Sequence, residues 1–215
     1  RDENKIFIDL GADFRLHSEE DYAQWYDGKF DDKQLHENSV YALPELFRDE
    51  ISADKVIANP GCYPTASLLG LAPLLIENLC RKNSIVIDAK SGLSGAGRSA
   101  AAATMYSEMN ENFKIYKVHQ HQHIPEIEQQ AAIWQEDVGV IEFNTHLVPM
   151  TRGIMATIYA ELTEETTTDK LLDLYRNMYE KHPFVRISPK GTYPCTKQVS
   201  GSNYCDIGVS VNERT

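Results

Sequence analysis

The sequence predicts an α/β region running into an α+β region, and three observations carry that reading. Short apolar strand candidates alternate with helical stretches in the first half of the chain. Long strands cluster in the second half, one of them alternating cleanly. No repeat, low-complexity segment or linker interrupts the series. Strand–helix alternation belongs to a parallel sheet covered by helices, and clustered strands belong to an α+β sheet.

The elements follow in order. "KIFIDL" holds a buried-type strand over Ile6 to Leu10, and "SEEDYAQWY" a short helix capped by Ser18, with acids in the first turn facing the positive end of the helix dipole. "DKVIANPG" is a strand closing on a Pro-Gly turn, and the apolar density from Cys62 to Leu79 predicts a long helix. The strand "SIVIDAKSG" leads into a glycine-rich loop and the Ala-rich "RSAAAATMYSEM", read as helical. "KIYKVHQHQH" reads as extended, and Pro125 begins a helix through about Trp134. "VIEFNTHLVPM" and "GIMATIYAELT" are long strands. Leu171, Leu172, Tyr175, Met178 and Tyr179 recur at helical spacing, with Thr168 the expected cap. Strands near Val185 and Val209 complete the chain.

Composition narrows the function. Of the 215 residues, 42% are hydrophobic and 25% charged, ordinary for a globular protein with a core. The net charge of −11, from 21 basic and 32 acidic residues, argues against nucleic acid, whose binding depends on basic surface. No apolar run is long enough to span a bilayer and no secretory segment opens the chain, so no membrane partner is expected. Cys62, Cys80, Cys195 and Cys205 form no CxxC pair and read as reduced thiols of a cytoplasmic protein. The strand so close to the first residue, and the turn signal at Asn212 to Arg214 after the last strand, read as a chain cut from a larger protein.

The chemistry starts at "NPGCYPTA". Cys62 stands on the corner between a Pro-Gly turn and a long helix, where the first unpaired N–H groups favour thiolate, the nucleophilic form. The plain alternative is a small packing cysteine. It is expected to react with alkylating agents faster than Cys80, Cys195 or Cys205. In "HQHQHIPE", His119, His121 and His123 would share one face of a strand. They lack the fourth partner and the spacing of a zinc site, so no metal is expected; a solvent-facing polar edge is the plain reading. Beside a nucleophilic cysteine, however, a base is needed. His123, held by the turn before Ile-Pro-Glu, is the first choice, with His121 in substrate contact or as the alternative base.

"KSGLSGAGRS" places Gly92, Gly95 and Gly97 between a strand and a helix, the setting in which backbone N–H groups cradle a phosphate. The spacing is not G-x-G-x-x-G, and a structural turn is the competing reading. Arg98, Arg152 in "HLVPMTRGI" and Arg15 in "GADFR" each present a forked cation beside a turn, which suggests an anionic substrate.

"IANPGCYPTASLLGLAP" resembles the active-site signature of N-acetyl-γ-glutamyl-phosphate reductases, arginine-biosynthesis enzymes related to aspartate-semialdehyde dehydrogenase. "DLGADFRL", "SGLSGAGRS", "HQHIPEI", "HLVPMTRGI" and "GSNYCDIGV" resemble further blocks of that family, in its order, over almost the whole chain. Gly11 stands where many members have Ser. The family's N-terminal glycine-rich cofactor loop and its returning C-terminal helix have no counterpart.

The resemblance implies the end of a Rossmann-like NAD(P)-binding domain over residues 1–60. It implies a glyceraldehyde-3-phosphate-dehydrogenase-like catalytic and dimerisation domain with a mixed sheet over 61–215. It further implies NADP(H) as cofactor, a small acyl-phosphate substrate, and a homodimer or homotetramer. Cys62 would be the nucleophile and His123 the base. Arg15, Arg98, Arg152 and His121 would hold substrate, and Ser91, Gly92, Ser94 and Gly95 would border the nicotinamide. Three rivals stand beside this reading: a related reductase of a carrier-bound aminoadipyl phosphate, a Cys–His hydrolase, and a catalytically silent dimerisation module.

Overall fold

The computed structural model describes residues 5–212 and Arg214. Three short strands, β1 (Phe7–Asp9), β2 (Ser39–Tyr41) and β3 (Val56–Ala58), form a parallel sheet in the order β1-β3-β2. Between β1 and β3 lie helices α1 (Glu19–Tyr26), α2 (Lys33–Glu37) and α3 (Pro44–Phe47). Ser18 caps α1 as expected, its hydroxyl accepting from the Asp21 N–H, and Asp32 caps α2 in the same way through Leu35. The segments α2, β2 and α3 are too short to show a period and are not legible in the sequence. β1 departs from its expected burial: Phe7 and Ile8 are 47% and 55% exposed, whereas Val40 and Tyr41 of β2, the other edge of the sheet, are buried.

The second sheet is mixed. β4 (Val86–Ser91) is its hub, parallel to β6 (Glu142–Leu147) and antiparallel to β7 (Ile154–Tyr159), while β5 (Lys114–Tyr116) pairs antiparallel with β6. Its inner face, with Ile87, Ala89 and Phe143 buried, packs against α4 (Cys62–Ile76) and α6 (Ile124–Trp134). α4 buries ten of its fifteen residues, which is why the sequence there is apolar all round. It stops three residues short of Leu79. Asn78 turns left-handed (φ 53°), and the Leu79 N–H reaches back to the Leu74 carbonyl in a Schellman closure.

Pro73 lies inside α4 and cannot donate to the Leu69 carbonyl four residues back. That acceptor is recovered from α7 (Thr168–Tyr179): the Tyr179 hydroxyl donates to Leu69 O at 2.6 Å, and Tyr175 donates to Gly70 O at 2.5 Å. The two helices are thereby locked at the site of the proline. The cap of α7 is Thr167, one residue before the expected Thr168, whose hydroxyl instead accepts from the Val211 N–H.

Two expectations fail between β4 and α6. "RSAAAATMYSEM" is not one helix but a short 3₁₀ turn at Ala102–Thr104 followed by α5 (Tyr106–Met109), with Met109 its buried residue. Alanines without an apolar stripe have nothing to bury, and a short helix without tertiary packing is marginal. "KIYKVHQHQH" is extended only to Tyr116; Lys117 and His119 then adopt φ of 47° and 55°, so the histidines sit on turns.

Beyond α7, β8 (Val185–Ile187) and β9 (Cys205–Ile207) form a parallel pair with α8 (Thr196–Val199) between them. β9 ends two residues before the expected centre at Val209. Of the expected turn at Asn212 to Arg214, Glu213 lies outside the described residues; the Arg214 N–H donates to Asn212 Oδ1. One apolar core runs through all of this, from Leu71 and Ile87 to Ile127, Tyr175, Val185 and Ile207. Among the described residues no helix is long and apolar enough to cross a membrane.

Candidate active site

Cys62 is the first residue of α4, and Gly61 before it is extended (ψ 156°), so the chain leaves β3 and enters the helix in one sharp corner. Thr65 tightens the first turn, its N–H and its hydroxyl both donating to Gly61 O at 2.9 Å. The backbone N–H groups of Tyr63 and of Cys62 itself lower the thiol's pKa, as the helix-corner argument expects. The larger effect is desolvation by the surrounding atoms, which raises it, so the thiol is above its ordinary range. Cys62 is nonetheless exposed at the surface, with the helix-corner N–H groups aimed at its sulfur, so desolvation and helix terminus oppose each other there.

His123 reaches the corner through Gly61. A Cβ on Gly61 would stand 2.5 Å from His123 Nε2, so only glycine lets the ring come this close. His123 Nδ1 is buried without a hydrogen-bond partner. His121, also buried, sits edge-on to the rings of Tyr63, Tyr116 and Phe143. Its Nδ1 accepts from the His123 N–H at 3.1 Å, which leaves the proton of the neutral ring on Nε2. Burial pushes His121 down to about 4 and His123 to about 3, the latter helped by His121, Arg15 and Lys117. Both are therefore neutral near pH 7. His119 is exposed, with Nδ1 3.6 Å from Glu142 Oε2, and shares no face with the other two.

Glu126, in the first turn of α6, is a residue the sequence does not single out; an acid after Pro125 reads as an ordinary helix-start carboxylate. It is fully buried. Oε1 accepts from the Gly61 N–H at 2.8 Å and the Tyr41 hydroxyl at 2.9 Å, and Oε2 lies 3.5 Å from Arg15 Nη1. Burial raises its pKa, against Arg15, Gly61 and Tyr41, which lower it. Arg15, expected to bind substrate, is a buried strut: Nε donates to Asn59 O at 2.8 Å and Nη2 to Leu10 O at 3.2 Å. Arg15 and Glu126 thus tie the ends of β1, β2 and β3 to α6 and hold the cysteine corner from behind.

The glycine loop does not present the expected cradle. The N–H groups of Gly92, Leu93 and Ser94 donate to the carbonyls of Gly153, Met150 and Thr151, so the loop is sealed against the turn that carries Arg152. The Ser91 hydroxyl is buried and donates to Gly92 O. A groove of about 2220 Å³ brings together Cys62, Ser91, Gly92, Ser94, Gly95 and Arg152. Arg152 is exposed on its wall; Arg98 is also exposed but lies outside it, so Arg98 is not gathered with the other candidates. The groove thus gathers a thiol and an exposed guanidinium, while His121 and His123 do not line it and His123 reaches the cysteine corner only from behind Gly61.

The chain is 55% identical over 208 residues to the N-acetyl-gamma-glutamyl-phosphate reductase of Geobacillus stearothermophilus, covering 97% of this chain and 60% of that protein. It is 53% identical to the protein of that name from Bacillus subtilis (strain 168), with the same coverage. It therefore spans about 60% of the length of these curated relatives. Aspartate semialdehyde dehydrogenase II from Vibrio cholerae shares the fold at 15% identity and a TM-score of 0.58, over 80% of this chain and 58% of that one. The enzyme from Francisella tularensis does so at 14% and 0.58, over 82% and 61%. Residues 62–215, from the corner cysteine onward, match the model of the semialdehyde dehydrogenase dimerisation domain, and the chain belongs to that family.

Proposed function

We propose that this chain carries the catalytic part of an NADPH-dependent reductase that converts N-acetyl-γ-glutamyl phosphate to N-acetylglutamate 5-semialdehyde and phosphate in arginine biosynthesis. The observation that supports it most is the Cys62 corner, with His123 packed on Gly61 and Arg152 on the wall of the same groove. The relatives at 55% and 53% identity are named as reductases of N-acetyl-gamma-glutamyl phosphate, which supports the substrate.

The residues divide the work as follows. Cys62 Sγ attacks the acyl carbon, a C–S bond forms, the C–O bond to phosphate breaks, and a thioacyl group remains on Cys62. His123 takes the thiol proton. At a depressed pKa it is a weak base, but a bound phosphate dianion nearby would raise it, so base strength arrives with the substrate. His121 Nε2–H donates to a substrate oxygen. Arg152 faces the anionic groups, while Glu126 acts only through Gly61, holding the corner in place. For the cofactor, the exposed Ser94 and Gly95 fit the side of a flat ring, whereas the sealed amides of the glycine loop offer its phosphates no cradle. A nicotinamide bound there supplies the hydride that the thioacyl group needs. The family's description as a dimerisation domain supports a homo-oligomer, most simply a homodimer.

The acylation half-reaction tests this without cofactor. The chain mixed with N-acetyl-γ-glutamyl phosphate should release phosphate in stoichiometric amount and gain the acyl mass on the Cys62 peptide. Cys62→Ser should abolish both and Cys195→Ser neither. Acylation on another residue, or none, overturns the reading.

A further inference from the structure

The turn that carries the two imidazoles is held by the first helix of the chain. Residues 117–123 leave β5 through left-handed backbone at Lys117 and His119 and join α6 through the Ile124 N–H, which donates to His121 O at 2.9 Å. Among the described residues, one hydrogen bond ties residues 117–123 to a part of the fold other than α6. The Tyr26 hydroxyl donates to Gln122 O at 3.3 Å, across 96 positions of chain.

Tyr26 is the last residue of α1, and it is well placed to be a fixed donor. Asp27 closes the helix behind it in left-handed backbone (φ 54°), its N–H donating to Ala23 O at 3.2 Å. The Tyr22 ring stacks on the Tyr26 ring at 5.2 Å and 17°, and the Tyr22 hydroxyl is itself held by Asp13 Oδ1 at 2.8 Å. Desolvation, and after it the Glu126 charge, pushes the Tyr26 hydroxyl up to about 12 against the charge of Arg15, so the hydroxyl keeps its proton.

The carbonyl that Tyr26 meets belongs to the same peptide unit as the His123 N–H, which donates to His121 Nδ1 at 3.1 Å. A peptide unit is planar, so the two bonds hold one rigid plate at opposite edges. Rotating the plate would carry the N–H off His121 Nδ1, leaving that nitrogen open to the ring proton. It would also swing His123 away from Gly61, against which its ring is packed. A carbonyl that accepts a hydrogen bond polarises its own N–H toward stronger donation, so the two bonds reinforce each other.

We propose that Tyr26 is a positioning residue: its hydroxyl clamps the Gln122–His123 peptide and thereby fixes both the place of His123 and the tautomer of His121. The inference rests on the reading in which these imidazoles serve the acyl phosphate, but the tautomer is measurable on the free chain without substrate.

The test pairs long-range ¹H–¹⁵N NMR of the histidine rings with phosphate release from N-acetyl-γ-glutamyl phosphate. In the wild-type chain His121 should carry its proton on Nε2. Tyr26→Phe should convert His121 to a mixture of tautomers. It should also slow phosphate release at saturating substrate by about three- to tenfold, the effect of one net hydrogen bond, with the half-saturating concentration unchanged. Tyr22→Phe loosens the same helix without reaching the peptide and should leave tautomer and rate near wild type. A wild-type His121 protonated on Nδ1, an unchanged tautomer or rate in Tyr26→Phe, or the same changes in Tyr22→Phe overturns the proposal. Wild-type chain that releases no phosphate counts against the assigned reaction instead, and the tautomers then decide the clamp by themselves.

Discussion

The Cys62 corner and the glycine loop after β4 resemble each other in sequence: each is a strand followed by glycine, small residues and a turn. Their structures differ in what meets the amides. At Cys62 the first-turn N–H groups stay aimed at the thiol, because the partner from α6, Glu126, takes only the Gly61 N–H one residue earlier. At Gly92 the loop of residues 150–153 takes three successive N–H groups. A glycine turn after a strand is therefore an anion site only when no neighbouring loop reaches it first. That outcome is decided by residues some sixty positions away in the chain.

The sharpest way to break the contrast is Gly61→Ala. The new Cβ meets His123 Nε2 at 2.5 Å, so the ring must leave the corner. Acylation by N-acetyl-γ-glutamyl phosphate should slow by about 10²–10⁴-fold, the range for losing a general base. His123→Asn should match it, while His119→Asn should leave the rate near wild type; equal losses at His119 and His123 would mean that the histidines act structurally. Stopped-flow phosphate release reads all three.

Glu126→Leu should unfold the chain more easily by about 3–5 kcal/mol, because Arg15 is left buried without its partner. Denaturant melts measure this. Arg15→Met together with Glu126→Leu should recover part of the loss, and no recovery would mean that the strut is not an ion-pair effect.

Tyr179→Phe removes the donor that serves Leu69 O beside Pro73 and should cost about 1–3 kcal/mol, the range for leaving a buried acceptor unsatisfied. Adding Pro73→Ala should reduce that cost by restoring a helical donor. A Tyr179→Phe penalty unchanged by Pro73→Ala would detach the tyrosine from the proline.

The smallest effect is in pH. His121 and His123 are held at about 4 and 3 when folded, below the ordinary value near 6.5, so the unfolded chain binds more protons in that window. Stability then rises with pH between about 4 and 6.5 and is lost as pH falls through it. Glu126, raised by burial, works in the opposite sense. Melting temperatures from pH 7 to 4 should fall, and less steeply in His121→Asn. Alkylation near neutrality should leave Cys80 and Cys205, both pushed to about 11 by burial, unlabelled, and label the exposed Cys62 ahead of the exposed Cys195; peptide mapping that finds Cys195 labelled first counts against the helix-corner effect.

Much was legible from local pattern alone. Ser18 with its acids, the apolar run of α4, the alternation of β7 and the helical spacing of α7 are local signals, and local physics suffices to read them. So is the corner that places Cys62 on a helix terminus. The reactive state of that thiol was not legible, because desolvation depends on which atoms pack around it. Nor was the double service of Glu126, whose partners Gly61, Tyr41 and Arg15 come from three separate stretches of chain. The sealing of the glycine loop and the buried strut at Arg15 likewise arise from pairings distant in sequence. Residue type and period determine what an element is; burial and hydrogen-bond competition, which only the tertiary structure decides, determine which of its polar groups remain available for chemistry.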